Sequence, residues 1–224
     1  MTSPLARVSH RRVLVVSGGI ARLTAALEAA AAGLPVTLAE AGPALGGLMA
    51  LLDKTFPTND CAMCILSPRM LAAARHPLIE VRTFCRVLGV KGGPGDFKAL
   101  LGRQPRYVDL DKCTGCGDCT RVCPKKIPDP YNLGLAATRA IHVPFPQAIP
   151  QAAYINAAAC RTLRGKKCGA CAEACAAGAV NFAETPSQQV LEAGAIILAP
   201  GAEPRPVHDF PGYGQGDVVT ALEF

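Results

Sequence analysis

D-K-C-T-G-C-G-D-C-T-R-V-C-P, Asp111 to Pro124, sets Cys113, Cys116, Cys119 and Cys123 at C-x2-C-x2-C-x3-C spacing, with a proline after the last. Spacing this tight lets one loop wrap three thiolates around an iron–sulfur cubane. Gly115 and Gly117 fall between the ligands, where the backbone has to come close to the sulfides. In two-cluster proteins the fourth cysteine of such a run ligates the other cluster, so this run predicts a second one elsewhere in the chain.

The second run is Cys160-x7-Cys168-x2-Cys171-x3-Cys175. The halves also match outside their cysteines: Tyr107-Val108-Asp109 precedes Cys113 as Tyr154-Ile155-Asn156 precedes Cys160. This is the duplication of a two-cluster ferredoxin, each half a strand, a cluster loop and a short helix. Crossing assigns Cys113, Cys116, Cys119 and Cys175 to one 4Fe–4S cluster, and Cys123, Cys160, Cys168 and Cys171 to the other. Two details depart from the simplest pattern. Seven residues, R-T-L-R-G-K-K, separate Cys160 from Cys168, and Ala176 stands where proline usually follows the fourth cysteine. The basic loop of Arg161, Arg164, Lys166 and Lys167 reads as a solvated loop or as a dock for an acidic partner. Zinc is the competing metal for C-x2-C pairs.

The rest of the composition agrees with a metal-binding protein that has a core. Of 224 residues half are hydrophobic and 18% charged, which excludes a disordered chain. Eleven cysteines grouped at short spacings, rather than spread as pairs, point to metal binding in a reducing compartment. The formal charge of +6 is scattered and would be offset by anionic clusters, so nucleic acid is not expected as a partner. Ser9-His10-Arg11-Arg12 precedes an apolar run, but that run breaks at Ser17-Gly18-Gly19 and reads as a strand rather than an export signal. No segment approaches the ~18 apolar residues of a membrane span, and a cytoplasmic location is expected.

Working outward towards the N-terminus, residues 1 to about 11 form a polar leader. Val13–Val16 is a short apolar run typical of a parallel strand covered on both faces. Ser17-Gly18-Gly19 turns the chain into an Ala/Leu-rich helix from Ile20 to Ala32, stopped by Gly33 and Pro35. Val36–Ala39 is the next strand and ends on Glu40. This is a βαβ unit, the first piece of a Rossmann-like sheet. Its G-x-G-x-x-G frame is altered. Ser17 replaces the tight-turn glycine, Gly19 keeps the position of close pyrophosphate approach, and Arg22 replaces the glycine of helix–strand packing. Glu40 is placed to accept a ribose hydroxyl. An ordinary βαβ turn without a nucleotide is the alternative.

Residues 42 to 68 read as loop. Within them Gly46-Gly47 is a place for backbone to approach a flavin dinucleotide. Cys61-x2-Cys64 reads as a redox dithiol, half a metal site, or two small buried thiols in a loop-to-helix turn. A helix over Arg69–Arg75, a strand over Ile79–Phe84, a core thiol at Cys85 and a hairpin at Lys91–Gly95 follow. Beyond Phe182, Ala195–Leu198 is a buried strand ending in the Pro200-Gly201 turn. The division expected is therefore 1–104 and 186–224 as two parts of one α/β dinucleotide-binding domain, with 105–185 inserted as the two-cluster unit.

Three longer stretches carry a resemblance to a known family: L-D-K-T-F-P-T-N-D-C-A-M-C-I-L-S-P (Leu52 to Pro68), R-Y-V-D-L-D-K-C-T-G-C-G-D-C (Arg106 to Cys119) and A-I-H-V-P-F-P-Q-A-I-P (Ala140 to Pro150). With the Cys-x7-Cys run and A-I-I-L-A-P-G (Ala195 to Gly201), the chain resembles the A subunits of heterodisulfide reductase and of the related quinone-interacting oxidoreductase. The resemblance covers about residues 13 to 224. It implies a thioredoxin-reductase-like FAD domain carrying an inserted two-cluster ferredoxin. It also implies electron relay among FAD, clusters and the other subunits of such a complex, with hydrogenase or ferredoxin as redox partners. Gly18, Gly19, Glu40, Gly46, Gly47 and Gly201 would contact FAD. Cys61 and Cys64 match a family segment beside the flavin where a cysteine can ligate a further cluster. Ser17, Arg22 and Pro200 depart from the family pattern, and the chain ends at Phe224, short of the family's remaining half. A weakened or incomplete FAD site follows. The alternatives are a flavin-free ferredoxin-like carrier or docking protein, and a split-gene fragment of a larger flavoprotein.

Overall fold

The computed structural model describes residues 12–202, 204, 207, 210–220, 222 and 223. The polar leader expected over residues 1–11 lies outside them. The chain begins with β1 (Val13–Val16), α1 (Ile20–Ala31) and β2 (Val36–Ala39), then a 3-10 turn at Gly47–Leu51. A small hairpin, β3 (Lys54–Thr55) and β4 (Asp60–Cys61), leads into α2 (Ala62–Arg75) and β5 (Ile79–Arg82). Two long strands follow, β6 (Cys85–Gly93) and β7 (Asp96–Arg103). The cysteine-rich segment contains α3 (Asp118–Val122), β8 (Lys126–Pro128), β9 (Ala137–Arg139), β10 (Ile141–His142), β11 (Tyr154–Ile155) and α4 (Ala170–Glu173). The chain returns through β12 (Ser187–Ala193) and β13 (Ala195–Leu198).

These elements build an α/β fold. Four parallel strands lie in the order β13-β1-β2-β5, with Val13 level with Ala195 on one side and Val36 on the other. Period-2 alternation sorts the apolar run of β1 between two cores. Val13 and Val15 pack with Leu23, Leu38, Leu66 and Met70 against α1 and α2. Leu14 turns the other way, to Ala99, Leu101, Leu191 and Ala193 of the antiparallel sheet β12-β7-β6. Side chains fully withdrawn from water here are worth about 1.5–3 kcal/mol each. α1 stops at the expected glycine: Gly33 takes φ +78° and its N–H, with that of Leu34, closes on the carbonyls of Ala30 and Ala29.

β7 and β12 pair along their whole lengths, from Ser187↔Arg103 to Ala193↔Phe97, so the cysteine-rich segment leaves and re-enters at one end of this pair. It has its own core of Val108, Ala140, Ile141, Ala153, Ile155 and Ala179. Its repeat is visible in the pairing. Val108 bridges Val180 and Ile155 pairs with Ile141, so the opening strand of each half meets the chain that closes the other.

Three local expectations change. The strand over Ala195–Leu198, expected to be buried, is the edge strand β13, with Ala195 and Leu198 exposed. α2 begins at Ala62, not Arg69, and passes through Pro68. Proline there leaves the Cys64 carbonyl without its helical donor. The loss is offset by Leu66, Met70 and Ala73, buried on the face towards the sheet. The strand expected over Ile79–Phe84 ends at Arg82, because the chain turns at Phe84 with φ +51° and starts β6 on Cys85. Cys85 is buried, as expected of a core thiol.

Candidate functional site

The eight cysteines of the two runs gather around two cavities. Cys113, Cys116, Cys119 and Cys175 line one of about 260 Å³, closed by Val108, Ile141, Ala153 and Val180. Cys123, Cys160, Cys168 and Cys171 line a second, smaller one with Ile155 and Ala140. Ile141 borders both, so one isoleucine separates the two groups. Among the described residues no three Cys, His, Asp or Glu side chains converge on a point fit for a single metal ion. The thiols instead stand around a space.

Local backbone explains how the loops reach these positions. Gly117 caps α3 with φ +83°, a conformation glycine adopts without strain. Gly115 has a second reason to be glycine: a Cβ there would lie 2.7 Å from the Gln151 carbonyl oxygen.

The thiols differ in electrostatics. Burial, with Cys160, Cys123 and Cys119 nearby, raises Cys171 to about 11. Burial also raises Cys119. Backbone N–H groups of Ala170 and Gly169 lower Cys168. The Ala179 N–H donates to Cys175 Sγ at 3.3 Å. Burial, and secondarily the neighbouring sulfurs, disfavours free thiolates here, and a positively charged group bound between them would reverse that.

At the C-terminal end of the parallel sheet, two glycine turns meet. The Gly46 N–H donates to the Gly18 carbonyl at 2.9 Å, and a Cβ on Gly47 would stand 3.3 Å from Gly19 Cα. Glu40 closes the arrangement. Its Oε2 accepts from the Gly18 N–H at 2.5 Å and from Ser17 Oγ at 3.2 Å, and its Oε1 accepts from the Gly42 N–H at 2.6 Å. The carboxylate placed by the sequence for a ribose is thus also the clamp that shapes the turn. Arg22 is buried and its guanidinium lies across both Gly19 and Gly201.

Cys61 and Cys64 are exposed at the start of α2, which removes the reading of two buried thiols. Their sulfurs are joined in a disulfide, and Cys61 Sγ accepts from the Cys64 N–H at 3.1 Å as the helix cap. Neither borders the two cysteine-lined cavities.

One residue that holds these parts together is not singled out by any sequence motif. Arg106 is 1% exposed and donates to the carbonyls of Ala153 (Nε, 3.0 Å), Ala152 (Nη2, 2.9 Å) and Pro43 (Nη1, 2.8 Å), and to Thr83 Oγ1 (3.2 Å). Its guanidinium stands 5.5 Å over the Phe84 ring. Its signals are its place at the head of the family-like stretch Arg106 to Cys119 and a mismatch in the repeat, where Arg106 of one half corresponds to Ala153 of the other.

Among known proteins, the family of 4Fe-4S binding domains matches residues 104–125. The A subunit of the ferredoxin/F(420)H(2)-dependent CoB-CoM heterodisulfide reductase of Methanosarcina acetivorans is 42% identical over 219 residues, 96% of this chain and 27% of that protein. The iron-sulfur A subunit of the CoB--CoM heterodisulfide reductase of Methanocaldococcus jannaschii is 42% identical over 213 residues, 94% of this chain and 32% of that protein. The A subunit of the H(2):CoB-CoM heterodisulfide,ferredoxin reductase of Methanothermobacter marburgensis is 40% identical over 215 residues, 95% of this chain and 32% of that protein. A solved structure, L-proline dehydrogenase from P. horikoshii, aligns with 42% of this chain and 20% of its own at a TM-score of 0.36 and 26% identity, too slight a likeness to bear on function. No described helix is long and apolar enough to cross a membrane. The chain spans about a third or less of the reductase subunits it matches, and over nearly all of its own length it is similar in sequence to the heterodisulfide reductase A subunits.

Proposed function

We propose that the chain is the electron-relay portion of a heterodisulfide-reductase-like assembly, holding two 4Fe–4S clusters and a flavin dinucleotide. The observation that carries the reading is the division of the eight cysteines. Sequence pairs Cys175 with the first run and Cys123 with the second, and the two cavities are lined in the same crossed sets. Thiols spread around a space suit a polynuclear cluster better than zinc, whose four ligands must gather at about 2.3 Å from one ion. On this reading the two-cluster unit occupies residues 105–185 and interrupts a dinucleotide-binding domain formed by 1–104 and 186–224.

In that reading the clusters supply one-electron steps and the flavin the conversion between electron pairs and single electrons. The protein's own part is placement. Apolar Val108, Ala153, Ile155 and Val180 line the cavities and shield their inner walls from water, while Cys116 and Cys168 stay exposed. Gly18 and Gly46 let the turns pack closely on core side chains, Gly47 lets them approach each other, Gly19 and Gly201 leave room for the Arg22 guanidinium, and Glu40 fixes the shape of the dinucleotide turn. Partners in this reading are the other subunits of the assembly and soluble redox proteins of the ferredoxin or hydrogenase type.

Anaerobic reconstitution followed by iron, acid-labile sulfide and flavin assays tests it. Two clusters require about eight iron and eight sulfide per chain. Iron without sulfide would sink the cluster assignment.

A further inference from the structure

We propose that Arg22 is the recognition residue for a diphosphate ester at the end of the parallel sheet. This rests on the reading that the sheet holds a dinucleotide, and it names how this chain holds it. The side chain is only 6% exposed, and its Nε is buried with no hydrogen-bond partner. Among the described residues none makes an ion pair with it. The nearest fixed carboxylate, Glu40, already accepts from Gly18, Gly42 and Ser17. A guanidinium carries five donors, so an Nε withdrawn from water without an acceptor is costly unless an anion completes it.

Its surroundings specify the anion. Arg22 projects from the first turn of α1, where the N-cap Gly19 has no capping side chain and the turn itself holds no acidic residue; the Glu40 carboxylate beside it is taken up by Gly18, Ser17 and Gly42. Positive potential from the unpaired backbone N–H groups therefore adds to that of the guanidinium. Nη1 lies 2.7 Å from where a Gly19 Cβ would be, and Nη1 and Nη2 lie 3.0 and 3.1 Å from where a Gly201 Cβ would be. The fork thus spans two turns that only glycine leaves open. At the second turn Pro200 has no N–H to offer. Arg22 supplies donors where that backbone cannot. A planar fork bridging two turns matches the adjacent phosphoryl oxygens of a diphosphate, which accept bidentate bonds.

The test is titration of the full, anaerobically reconstituted chain with FAD, ADP and inorganic pyrophosphate, by calorimetry and flavin fluorescence, with Arg22→Ala, Arg22→Lys and Arg22→Gly beside the parent. Arg22→Ala should weaken each probe by about 10- to 100-fold, the loss expected for charge-assisted bonds. Arg22→Lys should recover part of it. Thermal melts of the unliganded proteins add a second readout: Arg22→Ala should melt no lower than the parent, because it removes a cation that has no partner. Unchanged or tighter FAD binding in Arg22→Ala or Arg22→Gly would overturn the proposal and make Arg22 a plug, while leaving the flavin reading intact. Binding of pyrophosphate and ADP through Arg22, without FAD binding, would uphold the proposal and sink the flavin reading. No binding of any probe by the parent would overturn both.

Discussion

Arg106 donates from Nη1 to the carbonyl oxygen of Pro43 at 2.8 Å, across 63 residues of sequence. Pro43 belongs to the loop after β2, Thr83 and Phe84 to the turn between β5 and β6, and Ala152 and Ala153 to the cysteine-rich segment. One side chain therefore joins three separate stretches, and it does so through carbonyls rather than a carboxylate. Burial holds the guanidinium down to about 10, which still leaves it charged at neutral pH.

Replacing it should be severe. Arg106→Met strands four acceptors at a buried joint, and a loss of about 3 kcal/mol is expected. Arg106→Lys keeps the charge but reaches fewer acceptors and should recover only part. Urea melts measure the loss. A variant as stable as the parent would show that the joint does not depend on Arg106.

The crossed ligand sets make a prediction about pairs. Cys123→Ser with Cys160→Ser should remove one cluster and about half the iron, since both cysteines line the same cavity. Cys123→Ser with Cys113→Ser should remove both clusters, although these two lie in one sequence run. Uncrossed ligation gives the opposite pattern, so iron and sulfide per chain decide between them.

What the sequence made legible was local. Ligand spacing, the duplicated Tyr–apolar–Asp/Asn triplets and the β1 apolar run each depend on neighbours a few residues away, and they placed the parallel sheet and the cysteine groups. Arg106 was opaque because its acceptors are backbone carbonyls, which no residue type announces. The start of α2 was hidden because Pro68 reads as a helix boundary, and only the burial of Leu66 and Met70 overrides it. Arg22 was visible as a departure, but its lack of an acceptor emerged only in three dimensions.

The three cysteines outside the two runs should separate by reactivity. With the disulfide reduced, Cys61 and Cys64 are exposed at a helix N-terminus, where a thiolate is favoured. Cys85 is 3% exposed and burial pushes its thiol up. Iodoacetamide labelling read by mass spectrometry should modify Cys61 or Cys64 in the reduced folded protein, spare both after oxidation, and leave Cys85 unmodified until denaturant is added. Labelling of Cys85 at the rate of Cys61 would contradict the packing described.

His142 gives a pH dependence. It is 3% exposed, with Nδ1 2.7 Å from the Arg139 carbonyl oxygen, and its ring packs on Tyr154. Burial lowers its pKa, outweighing the Arg139 carbonyl and Asp129, which raise it. Below its ordinary value of 6.5 the unfolded chain therefore takes up a proton that the folded one does not. Stability should fall as pH drops from that value towards the lowered folded one. Subtracting the profile of His142→Gln from that of the parent isolates this slope from acid effects elsewhere. An identical slope in both would exclude His142 as its source.

Ser17 tests the turn itself. It takes φ +79°, a region that costs an L-residue about 1–2 kcal/mol. Its hydroxyl offsets part of that by donating to Glu40 Oε2, a bond worth about 0.5–1.5 kcal/mol. Two substitutions separate these effects. Ser17→Gly removes the strain and the hydroxyl together, so it should melt at or slightly above the parent. Ser17→Ala keeps the strain and loses only the hydroxyl, so it should be about 1 kcal/mol less stable. Glu40 keeps its bonds to Gly18 and Gly42 in both variants, and the turn should hold its shape. If Ser17→Gly melts below Ser17→Ala, backbone strain is not what serine bears at this position.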